Sequence, residues 1–394
     1  MDLFKKCSDD SLAKQAKAAG IYPYFHALES KQDIVVEMEG KREIMIGSNN
    51  YLGLTGHPEV IKAAVDATNE FGTGCSGSRF LNGTTMGHLK LEKELAEFLH
   101  KEDCIIMSTG FQTNLGIISA IVGRHDVVLC DKENHASIYD AIRLSYGDMV
   151  RYNHNDMEDL EKKLQAVPEN RGILIVTDGV FSMSGDICNL PKIVELKKKY
   201  GARLMVDDAH ALGILGENGR GTGEHFGLED EVDIIFGTFS KSLASLGGLC
   251  ACSHEVAEYI RHNSRPFIFS ASITPGCVAA ASKSLEIIKR EPERRKNLHH
   301  ISNYMREALR KRGIKFRDSE VPIIAIYTYE PEITLQVCKR LFEEGVYVNP
   351  VLPPATPVGE CLIRTSYTAT HTEELMDEAA DKILAVLKEL KVME

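Results

Sequence analysis

Two acids and a histidine follow directly on a short apolar run in Leu204-Met205-Val206-Asp207-Asp208-Ala209-His210. A lone Asp at a strand end more often caps the next turn than binds a ligand. Asp207 is equally suited to accept an N–H from a protonated pyridine nitrogen, which keeps such a ring cationic and able to absorb electrons. One apolar run later, Ile234-Ile235-Phe236 leads into Gly237-Thr238-Phe239-Ser240-Lys241-Ser242, a single lysine among small hydroxyl residues. A loop lysine is usually a solvated surface charge. In company with a strand-end Asp and His it becomes the arrangement a pyridoxal-phosphate site needs. An amine whose pKa is lowered by burial or by a cationic neighbour attacks an aldehyde, and later gives way to a substrate amine.

Two further segments fit the same ligand. After Cys104-Ile105-Ile106-Met107, the stretch Ser108-Thr109-Gly110-Phe111-Gln112-Thr113-Asn114 opens a helix. Gly110 permits close backbone approach, and free N–H groups at a helix start favour a phosphate, although a Ser/Thr cap without any ligand reads the same way. After Val127 to Cys130 comes Asn134-His135-Ala136-Ser137-Ile138-Tyr139-Asp140. His135 suits either a helix start or a flat ring stacked on a pyridine face. Thr238 and Ser240 are placed to bond the phosphate.

The elements that must carry these residues are legible as short continuous apolar runs at Cys104–Met107, Val127–Cys130, Ile173–Thr177, Leu204–Val206, Ile234–Phe236 and Leu249–Cys252. Continuous rather than alternating runs suit strands covered on both faces. Helical patterns lie between them, such as Leu91, Leu95, Phe98 and Leu99 on one face. That alternation predicts an α/β fold, a large doubly wound, mostly parallel sheet whose ligand sits beyond the carboxyl ends of its strands. From about Pro275 the texture changes to a long basic helix and then a smaller α+β domain. The expected division is an arm and hairpin over 1–45, turned at Glu39-Gly40-Lys41, a large cofactor domain over 46–274, and a small domain over 275–394.

Composition narrows the class. With 57 Asp and Glu against 46 Lys and Arg, the formal net charge is -11, which argues against nucleic acid or an anionic membrane face as a partner. The start, Met1-Asp2-Leu3-Phe4-Lys5-Lys6, has no apolar signal stretch, and no run approaches membrane-spanning length. Ten cysteines in such a chain point to free thiols in a reducing cytoplasm, and none has structural-metal spacing, so no metal is expected.

With these residues in place, the chain resembles the α-oxoamine synthases, fold-type I enzymes that join an amino acid to an acyl-CoA and lose carbon dioxide. The resemblance covers nearly the whole chain. Gly77-Ser78-Arg79-Phe80-Leu81-Asn82-Gly83-Thr84, His135 to Asp140, Tyr347-Val348-Asn349 and Pro353-Pro354-Ala355-Thr356-Pro357 place it with the bacterial branch that uses L-serine and a long-chain acyl-CoA. The resemblance implies that Lys241 carries the cofactor, that His135 stacks on its ring, and that Asp207 pairs with the pyridinium. It also implies that His210 bonds the phenolic oxygen, and that Gly110, Phe111, Thr238 and Ser240 hold the phosphate. Ser270 would reach over from a partner subunit, which makes a homodimer with shared sites. Arg364 would grip the substrate carboxylate as a two-pronged fork, with Asn50 a second candidate. The product would be 3-oxosphinganine, and its poor solubility implies transient membrane contact.

Two positions depart from that pattern. Leu352 stands where some of these enzymes place an Arg before the Pro-Pro pair, and Phe111 stands where Tyr is common. The competing readings are a sister synthase using glycine or alanine, making 2-amino-3-oxobutyrate or 8-amino-7-oxononanoate, and a noncatalytic subunit that lacks the lysine. The retained Lys241, Asp207, His210 and His135 argue against the second.

Overall fold

Strands buried on both faces must send alternate residues to two different cores, and these do. In the computed structural model, which describes residues 2–8 and 11–393, Ile106, Leu129, Ile175, Val206 and Ile235 enter one hydrophobic cluster. Their neighbours Ile105, Val128, Val176, Met205 and Phe236 enter another on the opposite face. The seven-stranded sheet has the order Asp103–Met107, Gly248–Cys252, Ile234–Thr238, Arg203–Asp207, Gly172–Asp178, Asp126–Asp131, Asp148–Tyr152. Only Gly248–Cys252 runs antiparallel to its neighbours. The edge strand Asp148–Tyr152 escapes the sequence pattern because most of its residues remain partly or fully exposed, so Asp148 and Arg151 interrupt any apolar run.

A second core gathers Ile301, Met305, Val337, Leu341, Met376 and Ile383. These come from the helices Glu293–Lys311, Pro331–Glu343 and Glu373–Glu389, which accompany a four-stranded antiparallel sheet. The short stretch Val346–Val351 is shared between two sheets. Val346–Tyr347 joins the N-terminal hairpin, and Asn349–Val351 pairs with Cys361–Ser366.

The hairpin itself, Val35–Met38 and Lys41–Met45, turns on Glu39 and Gly40 at φ 51° and 72°. Two consecutive positive values make the tight turn that matches strand twist, and Gly40 supplies the second without cost. Ile44 and Ile46 are buried in the C-terminal core, so packing attaches the segment read as a separate arm to the small domain. The helix Pro275–Arg290, where the texture of the sequence changes, still packs through Val278, Ala281 and Leu285 into the large core. Its Gly276 approaches Thr68 and Ala64 so closely that an added Cβ would sit 2.7 Å from the Thr68 hydroxyl.

Among the polar ties between the large core and the C-terminal part is a partly buried histidine cluster. His154 meets Asp131 Oδ1 at 3.0 Å through Nδ1 and Asp186 Oδ2 at 3.0 Å through Nε2, and Arg317 of the small domain donates to the same Asp186 at 2.6 Å. Burial opposes the charge, but hydrogen bonds to Asp131 and Asp186 carry the His154 pKa from 6.5 up to about 9. A raised folded-state pKa means stabilisation that is full below about 6.5 and lost as pH climbs through about 9, on the order of 3 kcal/mol. His154→Gln should therefore unfold more easily than wild type near pH 6, with the gap closing toward pH 10, as read by denaturant titration across pH. A gap independent of pH would count against the charged pair.

Candidate active site

The strand Arg203–Asp207 ends in a pair of acids with opposite assignments. Asp208 accepts the Thr222 N–H at 3.0 Å and its hydroxyl at 2.6 Å, which ties the start of the helix Thr222–Phe226 to the strand end. Asp207 faces a cavity of about 250 Å³ together with Gly110, Phe111, His135, His210, Thr238, Ser240 and Lys241. Cavities for drug-sized ligands run to roughly 300–1,000 Å³. This one suits a single ring with short substituents.

At one end of the cavity, the helix Gly110–Ile121 begins with Thr109 accepting the Gln112 N–H at 3.1 Å. The N–H groups of Gly110 and Phe111 have no acceptor within the helix, the ordinary state of a helix start. The Thr238 and Ser240 hydroxyls lie 3.0 Å apart. A Cβ on Gly110 would come within 2.6 Å of the Thr238 hydroxyl, so glycine is needed for this close packing. Free amides, a helix dipole and two hydroxyls together make a seat for a phosphate dianion.

At the other end, Asp207 Oδ1 accepts the Ala209 N–H at 3.0 Å and Oδ2 accepts Asn114 Nδ2 at 2.9 Å. Asp178 stands beside it, directly in register on the neighbouring strand, and accepts the His135 N–H at 3.2 Å. Burial raises both carboxyls, with Asp207 adding to the effect on Asp178. Desolvation pulls the Lys241 ammonium down to about 7, opposed by Asp207 and helped by Arg364. An amine near neutrality is a competent nucleophile and base at physiological pH. Burial also lowers His135, and it drives His210 well below its ordinary value with Lys241 and Arg364 contributing, so His210 is a neutral imidazole.

His135 caps its helix by accepting the Ser137 N–H at 3.3 Å, and its Nδ1 lies 2.7 Å from the Ser137 hydroxyl. Asn114 donates from one amide nitrogen to that hydroxyl and to Asp207, each at 2.9 Å. Arg364 on the strand Cys361–Ser366 donates through Nε to Ser182 O, at 2.5 Å, and through Nη2 to Asn49 Oδ1 at 3.0 Å and Tyr51 Oη at 3.3 Å. Asn114, Ser137, Asp178, Asn49 and Tyr51 were not singled out by the sequence, although the first two lie inside the motifs that were.

One expected residue sits differently. Asn50 turns its amide oxygen to the Thr55 N–H at 3.3 Å and hydroxyl at 3.0 Å, and among the described residues its neighbour Asn49, not Asn50, bonds Arg364. Successive side chains leave an extended backbone in opposite directions, and the sequence offers no means to choose between two adjacent asparagines. Ser270, expected at a partner's site, lies outside the residues lining the cavity of its own chain, and its hydroxyl accepts from Gln112 Nε2. Arg364 likewise stands behind the lining, joined to it through Tyr51 and His210.

The residues fit pyridoxal phosphate at every functional group. The phosphate finds free amides, the ring nitrogen finds a buried carboxylate, and the aldehyde finds an amine near neutrality. The aminotransferase class I and II profile matches residues 41–383. The chain belongs to that family. Within it, the resemblance to the α-oxoamine synthases holds over the full length. A serine palmitoyltransferase of Sphingobacterium spiritivorum is 50% identical across 99% of this chain and 98% of its own. An 8-amino-7-oxononanoate synthase of Bacillus velezensis is 43% identical across 93% and 94%. A solved SPT structure with a PLP internal aldimine superposes with a TM-score of 0.96 at 36% identity, covering 100% of both chains.

Proposed function

We propose that this chain condenses L-serine with a long-chain acyl-CoA, palmitoyl-CoA as type substrate, using pyridoxal 5'-phosphate held at Lys241. The observation that carries the reading is the shared cavity, in which a buried carboxylate, a neutral imidazole and an amine near neutrality converge on one ring-sized space. When bound, the cofactor supplies an aldehyde for the substrate amine and an electron-poor ring that acidifies the α-carbon.

The chain's own residues do the rest. Asp207 holds an N–H at the ring nitrogen, with Asn114 and the Ala209 amide fixing its orientation. The Gly110 and Phe111 amides, Thr238 and Ser240 anchor the phosphate. His135 covers one ring face, held in place by Ser137. Arg364 grips the serine carboxylate, which orients the α-proton toward Lys241, and the freed Lys241 amine removes that proton. Overall, a carbon–carbon bond forms between the serine α-carbon and the acyl carbonyl, the thioester carbon–sulfur bond breaks to release CoA, and the carboxylate leaves as carbon dioxide. The product is 3-oxosphinganine, the start of sphingolipid synthesis. In this reading the enzyme is a cytoplasmic homodimer in which Ser270 of each chain serves the other's site. Among the described residues no helix is long and apolar enough to cross a membrane.

Absorbance titration of the reconstituted enzyme with L-serine, glycine and L-alanine, followed by palmitoyl-CoA and mass analysis, tests the substrate. Serine should saturate at the lowest concentration and yield 3-oxosphinganine. Preference for glycine or alanine would move the enzyme to a sister synthase while leaving the lysine chemistry in place.

A further inference from the structure

We propose that Tyr51 is a positioning residue, donating its hydroxyl proton to His210 Nδ1 and so fixing His210 as the Nε2–H tautomer, a donor at the cavity wall. The identity of the oxygen that donor meets rests on the cofactor reading above. The tautomer is a property of the chain alone.

Tyr51 is fully buried, and its oxygen has three polar neighbours. Arg364 Nη2 at 3.3 Å can only donate, so it must donate to the phenol oxygen. Asn49 Oδ1 at 3.3 Å can only accept, and it already takes an Arg364 N–H at 3.0 Å. His210 Nδ1 stands at 2.7 Å, much the closest. The single Tyr51 proton therefore has two acceptors within reach, and the short contact is the one to nitrogen. A phenol that receives a hydrogen bond from a guanidinium is a stronger donor, which favours the same direction. Burial raises the Tyr51 pKa, so the hydroxyl keeps its proton.

A neutral imidazole carries one N–H. With Nδ1 accepting, that hydrogen lies on Nε2, which has no hydrogen-bond partner among the described residues. An Nε2–H suits an anionic oxygen on a bound ring. The other tautomer would set a lone pair against that oxygen and leave the Tyr51 proton to the longer contact. The same hydroxyl touches Arg364, so one buried oxygen aligns both the cofactor's donor and the guanidinium expected to hold the substrate.

The test is two-bond ¹H–¹⁵N correlation on protein labelled with ¹⁵N-histidine, with and without pyridoxal phosphate, using His210→Gln to assign the His210 signal. Wild type should show a protonated Nε2 and a bare Nδ1. Tyr51→Phe keeps the ring and removes only the oxygen. It should release His210 into a mixture of tautomers and lower turnover of L-serine and palmitoyl-CoA about tenfold, the scale of one hydrogen bond at a reacting centre. A proton on Nδ1 in wild type, or an unchanged tautomer in Tyr51→Phe, overturns the proposal. If the variant does not fold, the wild-type spectrum decides alone. An Nε2–H His210 in a protein that neither binds the cofactor nor condenses serine would remove the proposed function and leave Tyr51's role standing.

Discussion

Replacing Lys241 by alanine is expected to lower turnover by at least about 10³-fold, because one amine is asked both to carry the cofactor and to move the α-proton, and proton transfer by a positioned group is itself worth about 10²–10⁴. The charges of Asp207, Arg364 and Asp178 act on the amine, and the neutral His210 imidazole lines the same cavity. Among the described residues no other lysine lines that cavity, so no neighbour there can substitute. The decisive readout is covalent attachment. After borohydride reduction and digestion, wild type should retain pyridoxyl mass on the peptide containing Lys241, and Lys241→Ala should retain none while keeping its circular dichroism spectrum. A variant that turned over at wild-type rate would sink the assignment of the whole site.

Asp207→Asn is the second large effect. The substitution is nearly isosteric and keeps one acceptor oxygen for the two donors, Asn114 Nδ2 and the Ala209 N–H, that Asp207 accepts from. It exchanges an anion for a neutral amide at the position where a ring cation must be held. Breaking a buried charge pair by removing one member costs about 3–5 kcal/mol, and about 1.4 kcal/mol is tenfold in rate, so kcat should fall about 10²–10⁴-fold. Exchange of the serine α-proton with deuterated solvent, followed by NMR without acyl-CoA, isolates the step concerned and should slow in parallel. If that exchange persists at the wild-type rate while condensation is lost, the electron-withdrawing role belongs to another group.

The large sheet was legible because strands buried on both faces announce themselves as uninterrupted apolar runs, and the motifs were legible because each follows such a run. The same logic fails at Asp148–Tyr152, an edge strand with little to bury. It fails again at Val346–Val351, where one short stretch is divided between two sheets by pairing that only the fold decides. Within the site, the sequence found the groups facing the ligand and missed those behind them. Asn114 matters because it stands between Ser137 and Asp207, residues 23 and 93 positions away along the chain. No local pattern encodes such a meeting. Asp178 went unremarked because an acid ending an apolar strand reads as a cap until its register partner proves to be Asp207.

The union of the N-terminal hairpin with the small domain also bears on how the protein is made. Asn49 and Arg364, which bond directly, are 315 positions apart, and Lys41–Met45 pairs in parallel with Val346–Tyr347. A ribosome emits chain at roughly 5–20 residues per second, so the hairpin must wait on the order of tens of seconds for its partner strand. The cofactor face, built between residues 103 and 252, is complete long before then. The nascent chain is thus able to assemble the cavity around Lys241 first and the Asn49–Arg364 contact last. Ile44 and Ile46, buried in the finished C-terminal core, await their packing partners in the interval.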